Sequence, residues 1–94
     1  PSVPSTSESE IRISVIPNPF KNYTSIGVDA PVGAPLSVIV YDVLGKAVAT
    51  FYNGISASEH YSFTLDEKML SVGTYFIRVQ VGNEVVTRKI QLMK

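Results

Sequence analysis

Large apolar residues recur at every second position along most of this chain. Ile11, Ile13 and Val15 alternate with Arg12 and Ser14, which reads as a half-buried strand. Thr24 to Asp29 repeats the pattern through Ile26 and Val28. Leu36 to Tyr41 (LSVIVY) is the most β-prone run and is expected as a central strand covered on both faces. Lys46 to Tyr52 reads as its returning partner, closed by Asn53-Gly54. Glu59 to Leu65 then alternates through Tyr61, Phe63 and Leu65. The breaks fall at Pro17-Asn18-Pro19, at Pro31, Gly33 and Pro35, and at Asp42-Val43-Leu44-Gly45. In the last, the Asp side chain can cap the turn and Gly permits positive φ. Between Asp66 and Gly73, Met69 and Leu70 allow one short helical turn and nothing longer.

The final hairpin dictates its own register. A two-residue turn at Gly82-Asn83 sets Val79 opposite Val86 and Tyr75 opposite Ile90 on one face. Arg78 with Thr87 and Gln80 with Val85 fall on the other. One pair conflicts, because Ile77 meets Arg88. Either Arg88 snorkels from an edge strand or the register differs. Short strands with Gly/Pro turns and no crossover helix imply an all-β fold, an antiparallel β-sandwich of seven strands. Tyr75 follows Gly73-Thr74 at the start of the sixth strand. It either bonds its hydroxyl back to the preceding connection, as in a tyrosine corner, or simply packs.

Composition narrows the function classes. The chain has 94 residues, one domain's worth, of which 45% are apolar and 17% charged. Eight Lys plus Arg balance eight Asp plus Glu, so the clustered positive charge that nucleic acid or an anionic membrane needs is missing. No apolar run approaches the ~18–20 residues of a membrane span, so no membrane insertion is expected. With no Cys, there are no disulfides, thiolate nucleophiles or Cys-ligated metals. Residues 1–10, PSVPSTSESE, hold one large apolar group, Val3. They read as a Pro/Ser-rich disordered linker ahead of a domain at 11–94. The chain starts at Pro1 without a Met or a signal peptide and reads as a piece of a longer protein.

No catalytic constellation stands out. His60, the single histidine, lies between Glu59 and Tyr61 in a strand and reads as a partly exposed strand residue. The acids are scattered. Asp66-Glu67 supplies too few oxygens for a calcium ion, and no glycine motif cradles a phosphate. Asn22-Tyr23-Thr24 matches the glycosylation acceptor pattern, a weak three-residue signal. The aromatic residues of the strands (Tyr41, Phe51, Tyr52, Tyr61, Phe63, Tyr75, Phe76) read as core. An exposed coplanar trio would point instead to sugar stacking. From Val85 to Lys94 the chain carries Arg88, Lys89 and Lys94 and no acid past Glu84. A basic edge strand either discourages unwanted pairing or forms a docking surface.

Four segments, VIPNPF at 15–20, VYDVLGK at 40–46, LSVGTYFIRV at 70–79 and KIQLMK at 89–94, stand in an order and spacing that resemble a known family. It is the type A C-terminal sorting domain of the type IX (Por) secretion system of Bacteroidetes, and the likeness spans residues 11–94. The resemblance implies a seven-stranded immunoglobulin-like sandwich, no enzyme activity and no cofactor. It implies a transport signal recognised by the outer-membrane translocon and its shuttle proteins. The cargo would pass through the periplasm to the cell surface or medium, and a sortase-like peptidase would cut at the upstream linker. Residue by residue, Pro17, Asn18, Pro19 and Phe20 match the proline motif, Gly45 the D-x-x-G-K/R turn, and Gly73 and Tyr75 the G-x-Y motif. Lys89 and Lys94 match the basic residues of the terminal strand. Thr74 departs from the aliphatic residue common there. On this reading the prolines present a rigid extended surface with Phe20 as an anchor, and the terminal strand is the docking element. The alternative function is an immunoglobulin-like accessory module that binds glycan or spaces domains on a surface protein.

Overall fold

The alternating segments fold as strands in the computed structural model, which describes residues 11–94. The expected linker at 1–10 lies outside the described residues. The strands are β1 (Arg12–Ile16), β2 (Tyr23–Asp29), β3 (Pro35–Asp42), β4 (Ala47–Ile55), β5 (His60–Asp66), β6 (Gly73–Val81) and β7 (Glu84–Leu92). They form two antiparallel sheets, ordered β1-β2-β5 and β4-β3-β6-β7. This is the expected seven-stranded, immunoglobulin-like β-sandwich. Among the described residues the one helical element is a 3-10 turn at Glu67–Met69, started by the Asp66 carboxylate, which accepts the Lys68 N–H at 2.9 Å.

The alternation becomes two faces. Ile26, Val28 and Leu65 point inward from the first sheet and meet Leu36, Val38, Val40, Ile77, Val79, Ile90 and Leu92 from the second. All ten are buried, and their removal from water is the main force joining the layers. The last hairpin has the expected register: Tyr75 faces Ile90, Ile77 faces Arg88 and Val79 faces Val86. The Arg88 conflict disappears because β7 is the outermost strand. Arg88 is exposed there, and its guanidinium donates to the Thr87 carbonyl at 3.2 Å.

Two expectations are corrected. LSVIVY does lie between two strands, but only its Leu36, Val38 and Val40 face is buried. Ser37, Ile39 and Tyr41 are half-buried, because the second sheet has a packed layer on one side only. Asn53-Gly54 is not a turn either. Both residues continue β4, paired with Ser37 and Leu36, and Gly54 is not among the positive-φ glycines. A glycine is tolerated there because β4 is an edge strand with two register shifts against β3.

Candidate functional site

Each of the four motif segments sits where a strand begins or ends, and all of them reach the same end of the sandwich. The β1–β2 connection carries the proline motif, the β3–β4 turn carries Gly45, the β5–β6 connection leads into Gly73 and Tyr75, and β7 ends at Leu92. The isolated bridge between Phe20 and Leu92 joins the sheets at this end, while the hydrogen bond from Glu67 N–H to the Asn22 carbonyl at 2.8 Å extends the β2–β5 ladder within the first sheet. The opposite end holds the 30–34 and 56–59 connections and the Gly82-Asn83 turn. These are joined by Gly33 N–H to Ser56 O at 2.8 Å and Gly82 N–H to Pro35 O at 3.0 Å. The chain enters at that far end, where Arg12 pairs with Asp29.

The proline motif is a clasp on the terminal strand. After β1 the chain leaves the first sheet through Pro17 and Pro19, both preceded by cis peptide bonds, and runs parallel to β7 for one residue. Phe20 donates its N–H to the Gln91 carbonyl at 2.9 Å, and its own carbonyl accepts the Met93 N–H at 2.8 Å. The Asn18 side chain continues the ladder. Its Nδ2 donates to the Lys89 carbonyl at 2.8 Å and its Oδ1 accepts the Gln91 N–H at 3.1 Å. A carboxamide has the same donor and acceptor as a peptide unit, so Asn18 stands in for one residue of a neighbouring strand. The Thr24 hydroxyl, buried, donates to the Pro17 carbonyl at 2.7 Å and fixes the start of the crossing.

This geometry corrects two expectations. Phe20 is not presented as an anchor: it is 2% exposed and packs in the core. Its ring is the bulky apolar group of the motif, and the gap between the sheets next to Leu92 is where it loses most water contact. The terminal strand is an edge strand, as expected, but its outer rim from Lys89 to Met93 is already hydrogen-bonded by Asn18 and Phe20. Strand addition along that stretch would have to displace the clasp.

The remaining motif positions have local reasons for their residues. Asp42 caps its turn as expected: Oδ1 accepts the Leu44 and Lys46 N–H groups, both at 2.9 Å, and the carbonyl accepts the Gly45 N–H at 3.0 Å. Gly45 has φ +85°, a conformation that side chains disfavour. Tyr75 is the tyrosine corner, its hydroxyl donating to the Ser71 carbonyl at 2.6 Å. Lys89 and Lys94 are exposed.

The sequence reading missed what lies beside the motifs. Ten large apolar side chains are exposed among the described residues, and seven of them are at this end. Ile16 and Tyr23 flank the proline motif, Val43 and Leu44 form the tip of the β3–β4 turn, Met69 and Val72 lie in the β5–β6 connection, and Met93 follows β7. Leu44 is 89% exposed. The signal was available: Val43-Leu44 is an apolar pair inside a turn, where alternation no longer sends side chains inward.

Elsewhere the candidates separate. His60 Nδ1 lies 2.8 Å from Asp29 Oδ1 on the exposed far end. The hydrogen bond and the charge of Asp29 raise the His60 pKa above its ordinary 6.5. Of the aromatics, Phe51 and Phe63 stack with centroids 5.2 Å apart, and Tyr61 lies parallel to Phe63 at 6.0 Å. These rings are half-buried and pack against the core, closing the side of the sandwich between β4 and β5 rather than offering an exposed platform. Thr24 of the Asn22-Tyr23-Thr24 pattern is buried, with its hydroxyl engaged. Among the described residues, no group of three or more His, Asp and Glu is placed to hold a metal ion.

Comparison with known proteins bears on the fold and the family. Among solved structures, the sulfur carrier protein SoxY from Chlorobium limicola f thiosulfatophilum is similar with a TM-score of 0.51 and 15% identity. The match covers 93% of this chain and 82% of that one. At that identity the likeness is one of fold. No curated protein matches the chain. A family model described as "Secretion system C-terminal sorting domain" matches residues 14–93, from within β1 to just past β7, and takes in all four motif segments up to the last residue but one. The family is one of sorting signals rather than of catalysts. This chain belongs to the secretion system C-terminal sorting domain family, the sorting signals of type IX secretion.

Proposed function

We propose that this domain works by being bound: the outer-membrane translocon of the type IX system and its shuttle proteins recognise the end where the four motif segments meet. The cargo joined to it passes through the periplasm and reaches the cell surface or the medium. A sortase-like peptidase then cuts within residues 1–10, whose Pro/Ser-rich sequence has little apolar surface to bury. The observation that carries this reading is the convergence itself. Segments spread from Val15 to Lys94 form one end of the molecule, and the chain enters at the other. A receptor could grip the motif end while the cargo hangs clear of it.

The test is a gain of export. A reporter with an inner-membrane signal peptide, followed by residues 1–94, is placed in a type IX host and in the same host lacking the translocon. We expect the reporter outside the cell in the first and in the periplasm in the second, with the released domain's new N-terminus, read by mass spectrometry, inside residues 1–10. An identical distribution in the two hosts would defeat the proposal.

A further inference from the structure

We infer that the motif end docks, as one composite surface, onto an apolar protein segment flanked by carboxylates. The inference rests on the sorting role above and assigns it a face and a partner chemistry. Three observations carry it. First, the exposed apolar side chains are concentrated at this end. Leu44, Val43, Ile16 and Tyr23 are each more than half exposed, and they belong to different segments that only the fold brings to one end. Exposed apolar side chains concentrated at one end, rather than scattered singly, mark a contact surface. Second, Pro17, Pro19, Phe20, Lys21, Asn22 and Tyr23 line a shallow depression in the β1–β2 corner. Its walls are mostly apolar and Lys21 is its one charged group, which suits an apolar side chain with an acidic neighbour.

Third, charge is separated along the molecule although the whole chain is neutral. All five lysines lie in this half: Lys21, Lys46, Lys68 and Lys94 in the end segments and Lys89 in the last part of β7. They face three carboxylates, of which Asp42 and Asp66 are tied to backbone N–H groups, leaving Glu67. Among the described residues of the other half the carboxylates outnumber the guanidiniums by one, with Arg12 and Arg78 against Asp29, Glu59 and Glu84, and Arg88 lies at mid-strand opposite Ile77. A field of this shape attracts an acidic partner to the motif end and orients the domain as it approaches. A protein partner fits better than a lipid surface. The carboxylates among the lysines leave only a small net positive charge, short of the polybasic cluster that recruits an anionic lipid surface.

The fusion described above provides the test, with thermal unfolding of each variant as the control for folding. One variant carries Lys21→Glu, Lys68→Glu and Lys94→Glu, a second carries Val43→Ser and Leu44→Ser, and a third reverses Glu59 and Glu84 to Lys at the far end. We expect both motif-end variants to keep their melting temperature and to lose about tenfold or more in export rate, because like charges or polar groups are set into the contact. The far-end variant should stay within about twofold of the parent, as exposed charges outside a contact do. Parent-like export of both motif-end variants would overturn the docking face and leave the sorting role standing, whereas a parent fusion retained in the periplasm would overturn the sorting role itself. Parent-like export of the lysine variant alone would remove the acidic partner. Flotation of the fusion with phosphatidylcholine/phosphatidylglycerol vesicles, abolished by the same substitutions, would replace the protein partner with a lipid surface.

Discussion

Phe20 lies beside Leu92 in the seam between the sheets, so its role can be separated from that of a docking residue by stability alone. Phe20→Ala is expected to cost about 3–5 kcal/mol in urea unfolding, the usual result of emptying an aromatic site in a core. A side chain that only touched a partner would leave unfolding unchanged. His60 gives a second residue-level test. Asp29 raises its pKa, so the folded state holds the proton more tightly than the unfolded state does. The stabilisation is therefore complete below pH 6.5, the ordinary value, and is lost as the pH rises through the raised folded value. Both groups are exposed, so the effect is small and weakened by salt. Melting temperature against pH should differ between the parent and Asp29→Asn on the acidic side of that window and converge on the alkaline side.

At the scale of elements, the question is how an edge strand at the chain's end stays ordered. β7 pairs with β6 along its whole length on one side, and Asn18 and Phe20 hold the Lys89–Met93 part of the other. Asn18→Ala removes two of these hydrogen bonds and is expected to cost about 1 kcal/mol, since both are partly solvated. The more specific consequence is local. Hydrogen exchange at the Gln91 N–H should accelerate well beyond what the global stability change accounts for, and the Ile77 N–H in the core should follow the global change. Equal acceleration at the two sites would mean that Asn18 supports the fold generally and does not clasp β7.

At the scale of the molecule, the two ends differ in surface chemistry and in attachment, and this limits what a truncation can reveal. Deleting Val85–Lys94 removes Ile90 and Leu92 from the core, so loss of export after that deletion is expected to accompany loss of the folded circular-dichroism signal. It therefore cannot distinguish a missing signal from a missing fold, and substitutions at exposed motif-end positions can. Much of the fold was legible because a strand's period of two forces one face inward wherever that face is apolar. The Gly82-Asn83 register followed from turn length alone. Asn53-Gly54 was misread because the same dipeptide can sit in an irregular edge strand. Phe20 reads as an exposed anchor because it follows Pro17-Asn18-Pro19 in a connection, and nothing local shows that this connection crosses between the sheets.

The strands, the pairing of the last hairpin, the capped turn at Asp42–Gly45 and the order of the family's motifs are all readable along the chain. These depend on residues near one another in the chain, or on a pattern that every strand repeats. Folding adds that Asn18 completes the edge of β7, that Phe20 is core, and that apolar turn residues and lysines from distant segments share one end. Hydrogen-bond partners and exposed patches are properties of neighbours in space. The segments containing Asn18 and Gln91 become neighbours only when burial of the two inner faces closes the sandwich.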